Sequence, residues 1–456
     1  MNRRHFLIGS SAAVGALGPK GLASANDTIR MAVIGLRGRG GTHIRAWTRL
    51  PNVEVVAVCD VDRSFLDSRL KDLEALGRKR PATYTDARKL LEDKSIDAVS
   101  IATPNHWHTL LTIWACQAGK DVYVEKPCCH NIFESRQIVA ATKKYNRIVQ
   151  QGNQLRSSPA LREAIQHLRE GLIGDMYLAR GMCFQLRASI VKAKAEPVPA
   201  GVDYDLWTGP APNREFTKNR FHYTWHWFWD TGNGNLGNQG IHELDLCRWG
   251  LGVSYPTKIS AVGGKYLWDD DQEAPNTLNV SWEFDDHGKK KLMTFDVRPW
   301  YANDEGGIVG PINFNSGLNE DAVPGRTPAQ TTTQRGLGTV VGNLFFGSKG
   351  YMTVNGYDKY RTFLGPNQEP GPHAQEEGNH WANFIQVLRS RKESDLNSPI
   401  AEGAISCTLL HLANISYRLG RSLTFDAKTM TCVGDKEANN MFTRDYRKPF
   451  VVPEKV

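Results

Sequence analysis

Apolar residues in the first third of the chain fall into short runs separated by amphipathic stretches. Ile29-Arg30-Met31-Ala32-Val33-Ile34, Val53 to Cys59, Ile96 to Ala102, Val122-Tyr123-Val124 and Ile148-Val149-Gln150-Gln151 are short enough to read as strands. Helical spacing fills the gaps: a short segment after Gly40, one running to about Gly77, a short one after Thr83-Tyr84-Thr85-Asp86, one ending at Gly119, and one from about Phe133 to Lys144. Strands alternating with helices predict a parallel sheet covered on both faces. Near residue 155 the pattern changes. Ser158-Pro159 opens a helix that Gly171 closes, and longer alternating strands follow at Met176 to Gln185, Lys258 to Leu267, Thr277 to Phe284 and Lys291 to Val297. These predict an open, mostly antiparallel sheet. Helical periods return at Asn379 to Arg391 and Ile400 to Leu419, while Arg298 to Arg335, rich in Gly, Pro, Asn and Thr, reads as a long covering loop. The expected fold is an α/β domain followed by an α+β domain.

Length and composition add limits. A chain of 456 residues, 40% hydrophobic, can bury a full core across two or three domains. Its net charge of +8 is mild, and three of those charges are Arg3, Arg4 and Lys20. No dense basic run with interleaved aromatics suggests a nucleic-acid groove. Asn2-Arg3-Arg4-His5-Phe6-Leu7, a stretch of small apolar residues and Ala23-Ser24-Ala25 form a twin-arginine signal, so the twin-arginine export machinery is an expected partner and the mature protein is expected in the periplasm. No other run approaches the roughly 18 apolar residues of a membrane span. The eight cysteines lack disulfide-framework or C-x-x-C spacing, so buried free thiols and no metal site are expected.

Candidate chemistry begins at Gly35-Leu36-Arg37-Gly38-Arg39-Gly40, directly after the first strand. Glycine there permits a tight bend and close approach of a pyrophosphate to a helix N-terminus. Gly35 and Gly40 occupy the outer positions of G-x-G-x-x-G, with Arg37 in the middle. Asp60, ending the second strand, is placed to accept ribose hydroxyls; Arg63 could neutralise a 2′-phosphate. NAD is therefore expected over NADP. Thr103-Pro104-Asn105-His106-Trp107-His108 follows the third apolar strand, at the carboxyl end where open parallel sheets bind ligands.

Thr103-Pro104-Asn105 with His108, Ala118-Gly119-Lys120 and Glu125-Lys126-Pro127 together resemble the glucose-fructose oxidoreductase, inositol dehydrogenase and rhizopine catabolism (Gfo/Idh/MocA) family. The resemblance implies a Rossmann NAD(P)-binding domain over 26–153, a substrate and oligomerisation domain over 154–425, and a homo-oligomer. Residues 1–25 would be the signal peptide and 426–456 an arm wrapping a neighbouring subunit. It implies that Lys126 lies beside nicotinamide and substrate, with Pro127 often cis. The expected nucleotide contacts are Gly35, Leu36, Arg37, Gly38, Gly40, Asp60, Arg63, Thr103, Asn105, His108, Glu125, Lys126 and Asn153.

A second informative stretch spans Trp225 to Trp249. If Trp225 to Trp229 is extended, its three tryptophans share a face that could stack on a sugar. Asn238, His242, Asp245 and Trp249 follow helical spacing and form one stripe. In the resembled family an Asp and, four residues later, a His complete the catalytic set with the lysine. His242 matches, and Asn238 replaces the Asp, leaving an amide to orient the ring where a carboxylate would raise its basicity.

The resulting expectation is an oxidoreductase on a sugar or cyclic polyol with a tightly bound, recycling cofactor, in which His242 takes a hydroxyl proton, Lys126 hydrogen-bonds the same oxygen, and hydride passes to nicotinamide. An alternative is an NAD-dependent glycosidase that oxidises, eliminates, hydrates and reduces. Gly35-Leu36-Arg37-Gly38 is similar to the turn of those enzymes, yet they generally lack the E-K-P lysine and carry a Y-P-T-H type segment in place of Asn238 to His242. A non-catalytic sugar- or nucleotide-binding protein is the third reading.

Overall fold

The computed structural model describes residues 28–299 and 340–456. The twin-arginine segment and nearly all of the expected loop between Arg298 and Arg335 lie outside the described residues.

The first domain is a six-stranded parallel sheet ordered β3-β2-β1-β4-β5-β6. Its strands are β1 Ile29–Ile34, β2 Val53–Cys59, β3 Ala82–Tyr84, β4 Ala98–Ile101, β5 Asp121–Val124 and β6 Val149–Gln151. They alternate with α1 Arg39–Thr48, α2 Arg63–Ala75, α3 Ala87–Glu92, α4 Asn105–Gln117 and α5 Ile132–Lys144. β4 and β5 are buried along their whole length, as a sheet covered on both faces requires. Side-chain caps start the helices where the sequence offers them: Asp62 on Ser64 N–H, Asp86 on Arg88 N–H and Asn131 on Glu134 N–H. The strand order reverses between β1 and β4, the switch point that opens a crevice at the carboxyl ends.

Ser158 caps α6 Pro159–Arg169, which leads into a ten-stranded sheet ordered β14-β13-β12-β11-β7-β10-β9-β8-β15-β16. Its members are β7 Met176–Phe184, β8 Lys258–Gly264, β9 Thr277–Asp286, β10 Lys289–Arg298, β11 Val340–Gly347, β12 Gly350–Asn355, β13 Lys359–Leu364, β14 Glu369–Gln375, β15 Leu423–Asp426 and β16 Thr431–Cys432. All pairs are antiparallel except β7 with β10. The hairpins β11–β14 were not legible in the sequence. Between β7 and β8 come α7 Tyr204–Thr208, α8 Gly234–Asn238 and α9 Gly240–Leu251. α9 packs on β7 and β11, and the helix Ile400–Leu419 lies against β8, α5 and α9. One apolar cluster, running from Val124 and Leu155 through Leu236 and Leu410 to Phe295, is shared by both domains, and a separate one around Met31, Val33, Trp47 and Phe384 fills the rest of the first.

Two expectations are corrected. Thr224–Trp227 is a 3-10 turn, so the tryptophans do not share a face. Trp225 joins Trp207, Phe216 and Phe221, Trp227 packs with Ile190 and Phe228, and Trp229 meets Tyr417 and Arg418. The helical stripe is broken at Gln239, leaving Asn238 on α8 and His242 on α9. The C-terminal segment folds onto its own nucleotide domain because it carries buried Phe442, Phe450 and Val452. Phe133 N–H donates to Phe442 O (2.8 Å), Tyr446 Oη to Glu134 (3.0 Å), and Phe450 meets Trp107 edge-on.

Candidate active site

The expected nucleotide contacts lie in the loops or first helical turns that follow β1, β2, β4, β5 and β6, whereas Asn238 and His242 come from the second domain. In the β1–α1 turn, Gly35 (φ +84°) and Gly38 (φ +37°) adopt the left-handed side of φ space. A Cβ on Gly40 would stand 1.8 Å from Gly35 O, and one on Gly35 would meet Ala102 at 2.8 Å, so both close approaches require glycine. α1 has no side-chain cap and no acid in its first turn, which suits an anion. Arg37 stacks over Phe65, and Arg63 opens α2 with its side chain in solvent. Asp60 accepts from Leu36 N–H (2.6 Å) and Asp62 N–H (2.9 Å), and burial pushes its carboxyl up to about 6. Each oxygen keeps a lone pair for a hydroxyl. These features fit a nicotinamide dinucleotide, which the turn and Asp60 would hold.

Other selected residues hold the loops together. His108 ring nitrogens reach Pro127 O (2.7 Å) and Thr103 O (2.8 Å), tying the segments after β4 and β5. Asn105 donates to Asn233 Oδ1 (3.0 Å). Burial alone would raise the Glu125 carboxyl, but Arg39 (2.7 Å) and His43 (3.1 Å) hold it well below the usual range. Because that carboxylate only accepts, His43 Nε2 carries the proton and Nδ1 accepts from Ser100 (2.7 Å).

Lys126 follows β5 across a cis bond to Pro127 and is half-buried. Its ammonium donates to Asn238 O (2.6 Å), with Asn238 Oδ1 at 3.5 Å. Burial lowers its pKa to about 8, with Glu125 opposing and Arg39 adding to the fall. Asn238 therefore serves the lysine; its amide Nδ2 turns to Tyr223 Oη (3.1 Å) and not to His242.

The partner of His242 is Asn153, whose Oδ1 lies 2.7 Å from Nδ1. The same amide donates from Nδ2 to Asp245 Oδ2 (2.6 Å), and Arg156 grips Asp245 with two bonds of 2.6 and 2.9 Å. Burial would raise Asp245, yet Arg156 keeps it below the ordinary range, so it is ionised and accepts only. Asn153 must then present its NH2 to the carboxylate and its oxygen to His242, which puts the imidazole proton on Nδ1 and the lone pair on Nε2. Burial, and next the Lys126 charge, push His242 well below 6.5. The result is a neutral base of fixed tautomer near a cation.

Sequence reading did not single out the remaining wall. Arg187 donates to Tyr223 Oη (2.7 Å), which with the Asn238 contact fills both acceptor positions and leaves the phenolic proton to be donated. Gln239 donates to Tyr357 Oη (2.8 Å), whose ring lies 5.1 Å from that of His242. Tyr357 comes from the β12–β13 turn, more than a hundred residues away in sequence, so no local signal pointed to it. Glu243, beside Gln239, has its carboxyl pushed up to about 8 by burial.

Comparison with known proteins places this geometry. Residues 29–153 match the Gfo/Idh/MocA profile described as an oxidoreductase family NAD-binding Rossmann fold, and residues 183–289 and 365–452 match that family's C-terminal alpha/beta domain. The chain belongs to the Gfo/Idh/MocA oxidoreductase family. A glycosyl hydrolase family 109 protein of Shewanella pealeana is 29% identical over 202 residues, 39% of this chain and 44% of that protein. The rhizopine catabolism protein MocA of Rhizobium meliloti is 28% identical over 236 residues, 52% of this chain and 61% of that protein. The chain thus spans less than half the length of the glycosidase relative it matches. The fold is shared with the WlbA dehydrogenase from Chromobacterium violaceum, solved with NADH and UDP-GlcNAcA (19% identity, 88% and 97% of the two chains, TM-score 0.62). It is shared equally with the aldose-aldose oxidoreductase from Caulobacter crescentus, solved with glycerol (16%, 87% and 100%, TM-score 0.62). Among the described residues of this Gfo/Idh/MocA protein, no helix is long and apolar enough to cross a membrane.

Proposed function

We propose that this Gfo/Idh/MocA protein oxidises a hydroxyl of a sugar or cyclic polyol, using a nicotinamide nucleotide that it retains in the periplasm between turnovers. The reading rests on one observation: His242, whose lone pair is set on Nε2 by Asn153 and Asp245, is kept neutral by burial and by the charge of Lys126. His242 Nε2 takes the hydroxyl proton, and the Lys126 ammonium hydrogen-bonds the oxygen as negative charge grows on it. Tyr223 offers a further donor for a neighbouring hydroxyl. The glycine cradle and Asp60 would hold a nicotinamide nucleotide, which would supply the hydride acceptor; without exchange, the hydride would have to return to the same or a second substrate. Retention over hours needs sub-nanomolar binding, roughly −12 kcal/mol or better. The test is to dialyse the exported protein extensively, denature it, and analyse the supernatant for nucleotide. A near-stoichiometric nucleotide, with sugar turnover needing none added, is expected; empty protein revived only by added NAD overturns the retained-cofactor reading.

Transient oxidation that ends in glycoside cleavage is the second reading. It is favoured by the Gly35-Leu36-Arg37-Gly38 turn and by the likeness to glycosyl hydrolase family 109 proteins. Mass spectrometry of products from a panel of free sugars and aryl glycosides separates the two. An oxidised or isomerised sugar supports the first; released phenol with unchanged sugar oxidation state supports the second.

The same geometry sets a pH profile. Lowered His242 is already neutral above pH 6.5, and Lys126 loses its proton as pH rises through about 8. A bell-shaped kcat/KM is expected, with an acid limb below 6.5 and an alkaline limb near 8. Asn238→Asp places a carboxylate by the Lys126 ammonium, so it is expected to move the alkaline limb upward and leave the acid limb in place. Movement of the acid limb instead would put Asn238 on the histidine.

For the nucleotide, Asp60 favours free ribose hydroxyls and would repel a 2′-phosphate. Asp60→Ala is expected to shift the ratio of binding constants toward NADP, measured by titration of nucleotide-stripped protein. Tighter binding of NADP by the parent protein would reverse the preference.

A further inference from the structure

Cys128 and Cys129, directly after Pro127, face Cys407 and His411 of the helix Ile400–Leu419. The latter pair stand one helical turn apart, on a common face. All four side chains are buried. Cys128 Sγ lies 3.8 Å from Cys407 Sγ, Cys129 Sγ lies 3.5 Å from His411 Nε2, and the three sulfurs lie within 4.8 Å of one another. A tetrahedral zinc ion, with Zn–S of about 2.3 Å and Zn–N of about 2.0–2.1 Å, sets its ligands about 3.8 Å apart for S···S and about 3.6 Å for S···N. Two of the observed separations already have those values, while His411 reaches Cys129 from outside the group the three sulfurs form, and its ring must shift toward them for the set to close.

We propose that Cys128, Cys129, Cys407 and His411 are the ligands of a structural zinc ion that clamps the loop bearing Lys126 to the helix Ile400–Leu419. Three thiolates and an imidazole are soft ligands that favour zinc over magnesium or calcium. Four protein ligands leave no open position, so the site is structural and takes no part in turnover. Binding releases the three thiol protons and leaves a centre of formal charge −1. Gln151 supplies an outer contact. Its Oε1 accepts from Cys128 N–H (3.3 Å) and stands 3.7 Å from Cys407 Sγ, while its buried Nε2 has no hydrogen-bond partner.

The test uses the full chain produced in zinc-supplemented medium and dialysed without chelator. Elemental analysis is expected to give one zinc per chain, and cobalt replacement the charge-transfer absorption of a thiolate-bound tetrahedral ion. Cys407→Ser and His411→Ala should each lose the metal, whereas Cys247→Ser, another buried cysteine remote from the cluster, should keep it. Because the ligand variants could fold poorly, the metal content and cobalt spectrum of the parent chain are decisive. Absence of stoichiometric zinc from the folded parent overturns the proposal. So does zinc kept by a Cys407→Ser/His411→Ala double variant, or a Cys128–Cys407 disulfide in a non-reduced peptide map.

Discussion

Alanine in place of His242 is expected to lower kcat by a factor of about 10² or more, with the fold and nucleotide content unchanged. The imidazole is buried, and its Nδ1 is committed to Asn153, so Nε2 is the atom left for a substrate proton. Removing it takes away a base that no neighbour replaces. Asp245 lies behind Asn153 and is held by Arg156, and burial keeps Glu243 protonated up to about pH 8. Lys126→Ala should cost as much, by removing the cation that meets the developing alkoxide. If the two residues act on one oxygen, the double variant should lose far less than the product of the single losses. Steady-state kinetics on a substrate identified from the sugar panel, with nucleotide content measured on the same samples, checks this. Normal turnover by either single variant removes that residue from the chemistry.

Asp245→Asn is expected to act twice, on stability and on the pH profile. Asp245 is the buried counter-charge of Arg156 and also accepts from Ser406 Oγ (2.6 Å). Its loss leaves the buried guanidinium with Glu402, 3.4 Å away and partly exposed, as its remaining counter-charge among the described residues, beside the face of Trp249. Breaking a buried pair of this kind costs about 3 kcal/mol or more, and should show as a lower midpoint in chemical denaturation. The second effect is on the proton. An amide at 245 no longer compels Asn153 to present its oxygen to His242, so the Nδ1–H tautomer ceases to be fixed. A fall in kcat of about 10-fold or more is expected, together with a displaced acid limb. Asn153→Ala should reproduce the kinetic change without the full stability loss, because Arg156 and Asp245 remain paired. A variant that is less stable but keeps its rate and pH profile would reduce the relay to a structural tie.

What the sequence determined by itself was whatever short-range pattern encodes. Runs such as Val53 to Cys59, a bend with glycine at 35, 38 and 40, and an acid at the end of β2 specify a β-α-β unit and its nucleotide crevice, because steric and burial constraints act within a few residues. Ser158-Pro159 and Asn379 marked helix starts for the same local reason. Lys126 and His242 were singled out from the local motifs that carry the family resemblance. The partnership of His242 was not, since Asn238, four residues away, was the nearest polar group in sequence. The break at Gln239 separates the two, and packing of the 3-10 turn Gln154–Ser157 against α9 delivers Asn153 instead. Tyr357 reaches the site only because β12 and β13 pair into a hairpin of the large sheet. Cys128 and Cys129 meet Cys407 and His411 only because the helix Ile400–Leu419 docks on α5. Phe442 and Phe450 anchor the C-terminal segment on the nucleotide domain of the same chain. In each of these cases the deciding term is a contact between residues far apart in the chain, which propensity and spacing do not carry and which only the closed core establishes.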